Sequence, residues 1–468
     1  MSIQSGSQRA GPGGAITLVA TLISVYIVSQ FLRNSIGVIA PNLAQELGLS
    51  PGEIGLLSSA FFFVFAAVQI PVGVALDRFG PRLCLVVGAA ITVVGAVVFA
   101  VAASPGILIL GRALLGLGTA GSLVASLAVY AHRFRPDRFA TLTGLQIGFG
   151  TVGALLATAP LAFSTATIGW RGSFLAVGAF TGLIGLLIAV VVKDDGRARG
   201  RHETLRESWS GILSVLRTPS VGRLFVMNLV MYSTFGLIVG LWGGPYLTHI
   251  YGYSLEARGS FLVIPVLTQI VGSMMWGPMD RLMGSHKRPV LIGAGATAVA
   301  LGYLALVGTL SPVMLVAWFA VFGFVSAFGP VLIAHGKALF SLHQVGRGLT
   351  LLNMGSMGGV FLSQAVSGFV IEWFPVAADG TYALAAYRAV FGLQAAFILL
   401  VCLAYFYSRD PSEKPRKRSF VPCVAAQPLC TEGSTPLTFP LAICALRCML
   451  LRCGSASRYR RPPWAFPP

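Results

Sequence analysis

Apolar segments long enough to cross a bilayer recur twelve times along this chain of 468 residues. A membrane helix needs roughly 20 apolar residues, and no other feature of the sequence constrains the fold as strongly. The predicted spans are residues 16–40, 54–76, 83–103, 106–130, 139–163, 172–192, 221–247, 259–280, 289–309, 312–335, 347–373 and 385–408. We therefore predict an all-α membrane protein with twelve transmembrane helices.

The composition excludes most soluble classes of protein. Charged residues make up 10% of the chain and hydrophobic residues 55%, whereas an ordinary soluble domain is about 25% charged. So few charges argue against a soluble enzyme, a disordered protein and a nucleic-acid binder. The sequence also lacks a G-x-x-x-x-G-K-[ST] loop and a cysteine spacing typical of zinc sites. We predict no cofactor, no metal site and no enzymatic activity.

The net charge of +18 follows the predicted topology. Up to residue 410, 19 Lys and Arg residues fall on the side of the N-terminus and three on the other side. Because cytoplasmic loops carry an excess of Lys and Arg, we predict that both termini are cytoplasmic. The expected location is a bacterial inner membrane, where the protein would be a multi-pass monomer surrounded by lipid.

A polar stretch in the middle of the chain separates the spans into two groups of six. The predicted domains are a cytoplasmic N-terminus (1–15), a first half (16–192), a cytoplasmic central loop (193–220), a second half (221–408) and a cytoplasmic tail (409–468). Three short patterns recur in the same order in both halves: Asp77-Arg78 and Asp280-Arg281, Ser104-Pro105 and Ser311-Pro312, and Trp170-Arg171 and Tyr387-Arg388. Duplicated halves of this kind are typical of secondary transporters.

Two loop segments carry a family resemblance. Residues 73–82, GVALDRFGPR, resemble the cytoplasmic loop motif of the major facilitator superfamily, and residues 277–288, GPMDRLMGSHKR, resemble a degraded second copy. The resemblance covers about residues 16–408, and it implies the major facilitator fold with two six-helix pseudo-repeat halves. It also implies a conformational latch between the halves, with Gly73 allowing close helix approach; the expected latch residues are Gly73, Asp77, Arg78, Arg82, Asp280 and Arg281.

Residues 31–82 are similar, more narrowly, to the anion–cation symporter and organophosphate antiporter branches. This similarity implies that Arg33 lines the central cavity and pairs with the anionic group of the substrate. Arg112, in GRALLGLGTAG, matches an arginine of the fourth helix in the symporter branch. The acidic residues that symporters carry near these arginines are replaced by Leu32 and Thr119. Exchange, uniport and coupling through the substrate's own proton therefore remain open beside proton symport.

The residues themselves lead to a related interpretation. Arg33 and Arg112 each lie about 10 Å from the same end of their predicted spans, at 1.5 Å per residue. An arginine at that depth is costly and points to a function. All Asp and Glu residues fall in loops, at span edges or in the tail, so the substrate is a candidate counter-anion. The alternative is that both long side chains reach the nearby interface.

Other polar residues inside the spans are candidates for the same cavity. Tyr26 and Gln30 share a helical face with Arg33. The remaining candidates for substrate binding are Gln146, Asn228, Tyr232, Gln269, Asn353 and Gln364. Hydrogen bonding between helices is the alternative role for each of them.

Together these features predict a secondary active transporter that moves a small organic anion or zwitterion by alternating access. The expected substrates are a carboxylate, a sugar acid or a small peptide, with a coupling proton or counter-substrate as a further partner. The alternatives are a multidrug or metabolite efflux pump of the same superfamily and a membrane receptor built on a transporter scaffold. For the tail after Asp410 we predict disorder, a non-native sequence from a shifted reading frame or an interfacial anchor, and no role in transport.

Overall fold

The computed structural model describes residues 12–192, 205–340, 345–377 and 380–410. Outside these ranges lie the first eleven residues, residues 193–204 of the predicted central loop and the predicted tail from residue 411 onward. The helices before the central loop are α1 (Pro12–Asn34), α2 (Ile36–Leu47), α3 (Pro51–Ala67), α4 (Gln69–Ala100), α5 (Pro105–Thr119), α6 (Ser122–Arg133), α7 (Pro136–Leu156) and α8 (Ala159–Val191).

The rest of the described chain is also helical. Its helices are α9 (Leu205–Leu216), α10 (Val221–Met231), α11 (Ser233–Leu237), α12 (Gly243–Tyr251), α13 (Leu255–Trp276), α14 (Met279–Met283), α15 (Lys287–Val307), α16 (Pro312–Val325), α17 (Gly329–Leu339), α18 (Val345–Glu372) and α19 (Leu384–Phe406). A π-helical turn, Ile238–Trp242, joins α11 to α12.

Among the described residues, eleven helical segments are long and apolar enough to cross a membrane. The apolar helix α3 is shorter, but only Val68 separates it from α4. With the start of α4 it covers the second predicted span. The twelve predicted spans therefore all correspond to helices, and the chain is an all-α, multi-pass membrane protein.

Helix boundaries and span boundaries do not always coincide, and α4 runs from the end of one predicted span through the next with a break between them. In α4 the break is at Gly80, whose φ of 81° and ψ of 164° lie outside the helical region. Glycine adopts a positive φ without the steric cost that other residues incur, and Pro81 follows as a favourable first residue of the next helical segment. The loop predicted from the sequence at residues 73–82 is thus a tight break at Gly80.

The two halves repeat their packing as well as their sequence patterns. In the first half α4 packs against α8, and in the second half α15 packs against α19. The Arg171 Nη2 donates to the carbonyl oxygen of Ala102 (3.0 Å), just after α4. Arg388 donates from Nε to the Ala305 carbonyl oxygen (2.6 Å), near the end of α15. Both arginines of the repeated pattern therefore satisfy carbonyl groups at a helix C-terminus, where a positive charge is favoured.

One part of the predicted central loop is a helix. Residues 205–216 form α9, which packs against α4, α10 and α18. Its Val215 is buried, whereas Trp209 and Leu213 are 53% exposed on another face. Within the segment predicted as a central loop over 193–220, residues 205–216 thus form a short amphipathic helix that was not predicted, because the charged residues around it concealed its pattern.

The two halves are in direct contact at the end of the bundle opposite the 73–82 loop, which we call the far end. There α2 packs against α12, and α3 packs along α18. A side-chain carbon placed on Gly244 would overlap the Gly37 carbonyl oxygen, and one placed on Gly55 would lie 2.7 Å from the Gln364 carbonyl oxygen. The backbones of the halves thus approach each other through glycines.

A polar contact accompanies this backbone contact at the far end. Arg258 of α13 is buried and donates to Thr248 Oγ1 (2.9 Å) and, across the halves, to Asn42 Oδ1. These hydrogen bonds supply partners for a guanidinium that burial would otherwise leave costly. The far end is therefore closed by both close packing and a buried hydrogen bond.

Candidate functional site

Arg33 lies in the last turn of α1, and its side chain is 7% exposed. Its guanidinium carbon is 4.4 Å from the centre of the Phe65 ring of α3. Its buried Nε has no hydrogen-bond partner, and no ion pair to another described residue is formed. A buried cation on an aromatic face gains about 0.5–2 kcal/mol from that contact. Because this contact uses none of the N–H donors, most of the hydrogen-bonding capacity of Arg33 remains unused.

Arg112 of α5 is fully buried and contacts both α1 and α3. Its Nη1 donates to the carbonyl oxygen of Leu32 (2.7 Å), the residue next to Arg33. Its guanidinium carbon lies 4.8 Å from the centre of the Phe61 ring, while its Nε and Nη2 are buried without partners. Arg33 of α1 and Arg112 of α5, predicted from the sequence to lie at one depth, thus both pack against α3.

A stacked pair of aromatic rings carries both guanidinium groups. The Phe61 and Phe65 ring centres are 6.1 Å apart, with planes inclined by 20°. Residues four apart lie on one face of a helix, so α3 presents one ring to Arg112 and the other to Arg33. We call Arg33, Arg112, Phe61 and Phe65 the arginine–aromatic cluster. Because buried cations are costly without a counter-charge, this cluster is suited to an anionic ligand.

Three more of the residues predicted for the cavity are Tyr26 and Gln30 of α1, the helix that carries Arg33, and Tyr232 of the second half. Tyr26 is 7% exposed and packs its ring against Gly150 of α7. Tyr232, from the second half, stacks on Phe235. Gln30, one turn before Arg33, has a buried Oε1 without a hydrogen-bond partner.

Gln364 lies in the contact between α18 and the second-half helix α11. It is fully buried, and its Nε2 donates to the carbonyl oxygen of Gly236 (2.9 Å). A side-chain carbon on Gly240 would lie 3.4 Å from that Nε2 and 3.7 Å from the Arg33 carbonyl oxygen. The structure thus places Gln364 close to the end of α1 that carries Arg33.

Two other predicted cavity residues use their amides within one half. Gln146 donates from Nε2 to the Leu22 carbonyl oxygen (3.0 Å) and accepts at Oε1 from the Tyr130 hydroxyl (2.6 Å). Asn228 accepts at Oδ1 from the Ser356 hydroxyl (3.1 Å). These bonds join neighbouring helices, which is the alternative role that the sequence left open.

Gln269 and Asn353 are half-buried on α13 and α18, and neither has a hydrogen bond to the arginine–aromatic cluster.

Two of the expected latch residues of the first half, Arg78 and Arg82, contact residues of that half. Arg82 donates from Nη2 to the Ala189 carbonyl oxygen (2.6 Å) near the end of α8, and Arg78 packs over the Phe79 ring. The expected close approach at Gly73 is not found, because no atom would lie within 4 Å of a side-chain carbon there. This loop is therefore anchored by Arg82 rather than by glycine packing.

The second copy is anchored in a similar way. Asp280 accepts at Oδ1 from the Arg281 backbone N–H (2.7 Å), and its Oδ2 lies 3.3 Å from His286 Nδ1. The Ser285 hydroxyl donates to Asp410 Oδ2 (2.6 Å), just after α19. Both loops are thus tied to the end of the last helix of their half.

The sequence profile of the Major Facilitator Superfamily matches residues 22–257 and 224–452. The chain belongs to the Major Facilitator Superfamily. The family predicted from the loop motifs is therefore confirmed, and members of this superfamily are transporters rather than enzymes.

Individual members of the superfamily are similar over much of their length. The "Probable sulfoacetate transporter SauU" of Cupriavidus necator is 28% identical over 315 residues, which cover 64% of this chain and 71% of that protein. The "Probable L-galactonate transporter" of Escherichia coli is 24% identical over 295 residues, covering 58% and 63%.

The solved structure of a bacterial homologue of the lysosomal transporter Spinster, inward-facing and unoccupied, superposes with a TM-score of 0.70 at 18% identity, covering 85% of this chain and 97% of that one. This likeness confirms the predicted superfamily fold.

The aromatic part of the site was not predicted. Phe61 and Phe65 belong to the run FFFVF, whose side chains we interpreted only as part of an apolar span. Their spacing of four residues was the available signal, since it places two rings on one helical face. What could not be read from the sequence is which face of α3 turns toward Arg33 and Arg112.

Proposed function

We propose that this chain is a secondary transporter that moves a small organic anion by alternating access, with Arg33 as the anion-binding residue. The observation that carries this proposal is the buried, unpaired guanidinium of Arg33 on the Phe65 ring. A planar guanidinium can donate two parallel hydrogen bonds to a carboxylate, sulfonate or phosphate.

Arg112 supports the same role from the neighbouring helix. Because its Nη1 is held by the Leu32 carbonyl oxygen, the orientation of its guanidinium is fixed while Nε and Nη2 remain available. Two cations at one site favour a small anion over a cationic compound, which would be repelled. Relatives named as transporters of sulfoacetate and L-galactonate, both organic anions, are in accord with this assignment.

We also propose the orientation given by the basic loops, with both termini in the cytoplasm of a bacterial cell. The closed far end then faces outward. Transport requires that this end opens, and the glycine contacts and the Arg258–Asn42 hydrogen bond are the contacts that must separate.

The test is thermal stabilisation of the purified full-length protein by organic carboxylates, sulfonates, phosphate esters, dipeptides and cationic drugs. A ligand present at 100 times its Kd stabilises the folded state by about 2.7 kcal/mol. We expect stabilisation by anions in the wild type and its loss in Arg33→Gln. Arg388→Gln is the control, because Arg388 contacts carbonyl groups at the far end of the second half.

Stabilisation by anions that persists in Arg33→Gln would remove the proposed role of this residue. Stabilisation by cationic compounds alone would contradict the anion transporter and favour the efflux pump.

A further inference from the structure

A small cavity lies inside the first half, where the fourth predicted span breaks between α5 and α6. Its volume is about 20 Å³. A cavity needs roughly 10–15 Å³ to hold one water molecule, whereas sites for organic ligands measure about 300–1,000 Å³. The cavity is therefore too small for an organic substrate and large enough for a ligand the size of one water molecule.

Three of the residues that line this cavity are buried threonines on separate helices, α4, α5 and α8. Each donates its hydroxyl proton to a carbonyl oxygen one turn earlier in its own helix: Thr92 to Gly88 (2.8 Å), Thr119 to Leu115 (2.7 Å) and Thr181 to Val177 (2.7 Å). A hydroxyl oxygen that donates in this way still has lone pairs. The three threonines can thus accept a hydrogen bond from a ligand but cannot donate one.

Ser122, the first residue of α6, also lines the cavity. It is 3% exposed, and its Oγ has no hydrogen-bond partner among the described residues. A buried hydroxyl left unpaired is costly, and such groups are rare in folded proteins. A ligand that accepts from Ser122 and donates to threonine oxygens would pair with both kinds of hydroxyl group.

The helix break itself faces the cavity. The Ala120 N–H reaches only the Leu117 carbonyl oxygen, three residues back, at 3.4 Å, and Gly121 provides no side chain to cap the first turn of α6. Four residues around the break line the cavity: Gly118, Thr119, Gly121 and Ser122. Breaks in membrane helices are tolerated where side chains or ordered water satisfy the freed backbone groups. The position of the cavity therefore favours a ligand with both donors and acceptors.

Water and a small cation such as Na⁺ both fit a cavity of this size. A cation would be buried without a counter-charge, since no acidic residue is among the described residues that line the cavity. A water molecule accepts from Ser122 and donates to two threonine oxygens, which gives three hydrogen bonds, as is typical of buried water. We infer that the cavity is a binding site for one ordered water molecule, which joins α6 to the helices packed around the break.

The bound water stabilises the joint between the two helices of this span. Thr92 of α4 reaches the same joint, because a side-chain carbon placed on Gly118 would overlap the Thr92 Oγ1. A hydrogen-bonded water there fixes the angle of α5, which carries Arg112, relative to α4 and α6. This inference goes beyond the proposed function and does not depend on it, since the cavity is too small for the substrate.

The first experiment is X-ray radiolysis of the purified full-length wild type, which converts bound water into hydroxyl radicals that oxidise adjacent side chains. Cys84 of α4 lines the cavity and is the reporter. After rapid dilution into water labelled with heavy oxygen, the oxygen added to Cys84 should stay unlabelled at first and become labelled slowly. Cys402 of α19 is the matched control, because it is also half-buried but is not part of this cavity. Its product should carry the label at once.

The second experiment compares the melting temperatures of two variants of α6. Ser122→Ala removes the proposed donor to the water. Ser126→Ala is the matched control, since the buried Ser126 hydroxyl already donates to the Ser122 carbonyl oxygen (2.7 Å). We expect Ser122→Ala to melt about 2 °C or more below Ser126→Ala. The slowly exchanging oxygen at Cys84 should be lost in Ser122→Ala alone.

Several results would overturn the water site. Cys84 that is not oxidised, or that carries the label at once, would do so. A melting temperature of Ser122→Ala at or above that of Ser126→Ala would also do so, because a dry cavity gains stability when an unpaired hydroxyl is removed. Stabilisation of the wild type by NaCl over choline chloride, lost in Ser122→Ala, would replace the water with Na⁺. Where Ser122→Ala does not fold, the labelling of the wild type decides.

Discussion

Replacing Arg112 with methionine should leave the ligand-free protein about as stable as the wild type. The substitution removes one hydrogen bond from a charged donor to the Leu32 carbonyl oxygen, a loss of about 1.5–3 kcal/mol. It also removes the contact with Phe61, worth about 2 kcal/mol when desolvated. The Leu32 carbonyl oxygen keeps a hydroxyl donor, Ser35 Oγ, at 3.1 Å.

The opposing term is the cost of burying the Arg112 charge without a counter-ion. That penalty is still several kcal/mol per ion after relaxation, and methionine replaces the apolar stem of the side chain without it. The terms nearly cancel, so the free energy of unfolding should change by less than about 2 kcal/mol. Stabilisation by an anionic ligand should be lost, because two donors of the site are gone.

The assay is denaturant unfolding in mild detergent, with and without the best anionic ligand. Arg258→Met is the matched control, since Arg258 is equally buried but donates to Thr248 and Asn42. This control should lose more unfolding free energy than Arg112→Met, because it removes two hydrogen bonds to side chains rather than one to a carbonyl oxygen that keeps another donor. If Arg112→Met is destabilised by 3 kcal/mol or more and still responds to the ligand, Arg112 is a structural residue and the reasoning is refuted.

Three further predictions concern the regions around the site. Gly244→Ala should force α12 away from α2 and increase labelling of cysteines introduced at the far end, whereas unchanged labelling would show that this contact does not close the bundle. The hydrogen bond from the Trp170 indole N–H lowers the pKa of Glu46. The ionised carboxylate therefore stabilises the fold above its normal pKa of about 4.5, and this contribution is lost as the pH falls through the lowered pKa. The thermal stabilities of the wild type and Glu46→Gln should differ at pH 6 and converge in acid. His335→Phe should cost roughly 2 kcal/mol, because both ring nitrogens are hydrogen-bonded in a buried site, while exposed His132, at the corresponding place in the first half, should tolerate the same change within about 0.5 kcal/mol. A comparable loss of unfolding free energy in both histidine variants would contradict this difference.

The spans and the depth of the two arginines were predictable because both depend on distance along one helix. Counting residues at 1.5 Å each placed Arg33 and Arg112 at one level, and in the structure both side chains contact α3. The apolar runs and the loop pattern around Gly80 likewise depend on local sequence. For these features the periodicity and the turn residues carry the information.

The partners of each polar side chain were not predictable, because they depend on how helices face one another. Gln146 and Gln364 look alike in the sequence, as single amides inside apolar spans. Gln146 has both amide atoms bonded within its half, whereas the buried Oε1 of Gln364 has no hydrogen-bond partner. The difference arises from helix rotation and from the π-helical turn, neither of which a single apolar sequence specifies.

The division of the site between the halves has a consequence for the proposed transport cycle. The cations Arg33 and Arg112 belong to the first half, whereas the acceptor Gln364 and the ring of Tyr232 belong to the second. A ligand drives a conformational equilibrium only through contacts that differ between the states. An anion that contacts groups of both halves at once would hold the halves at one separation, whereas an anion bound to Arg33 alone would contact one half and exert no such effect.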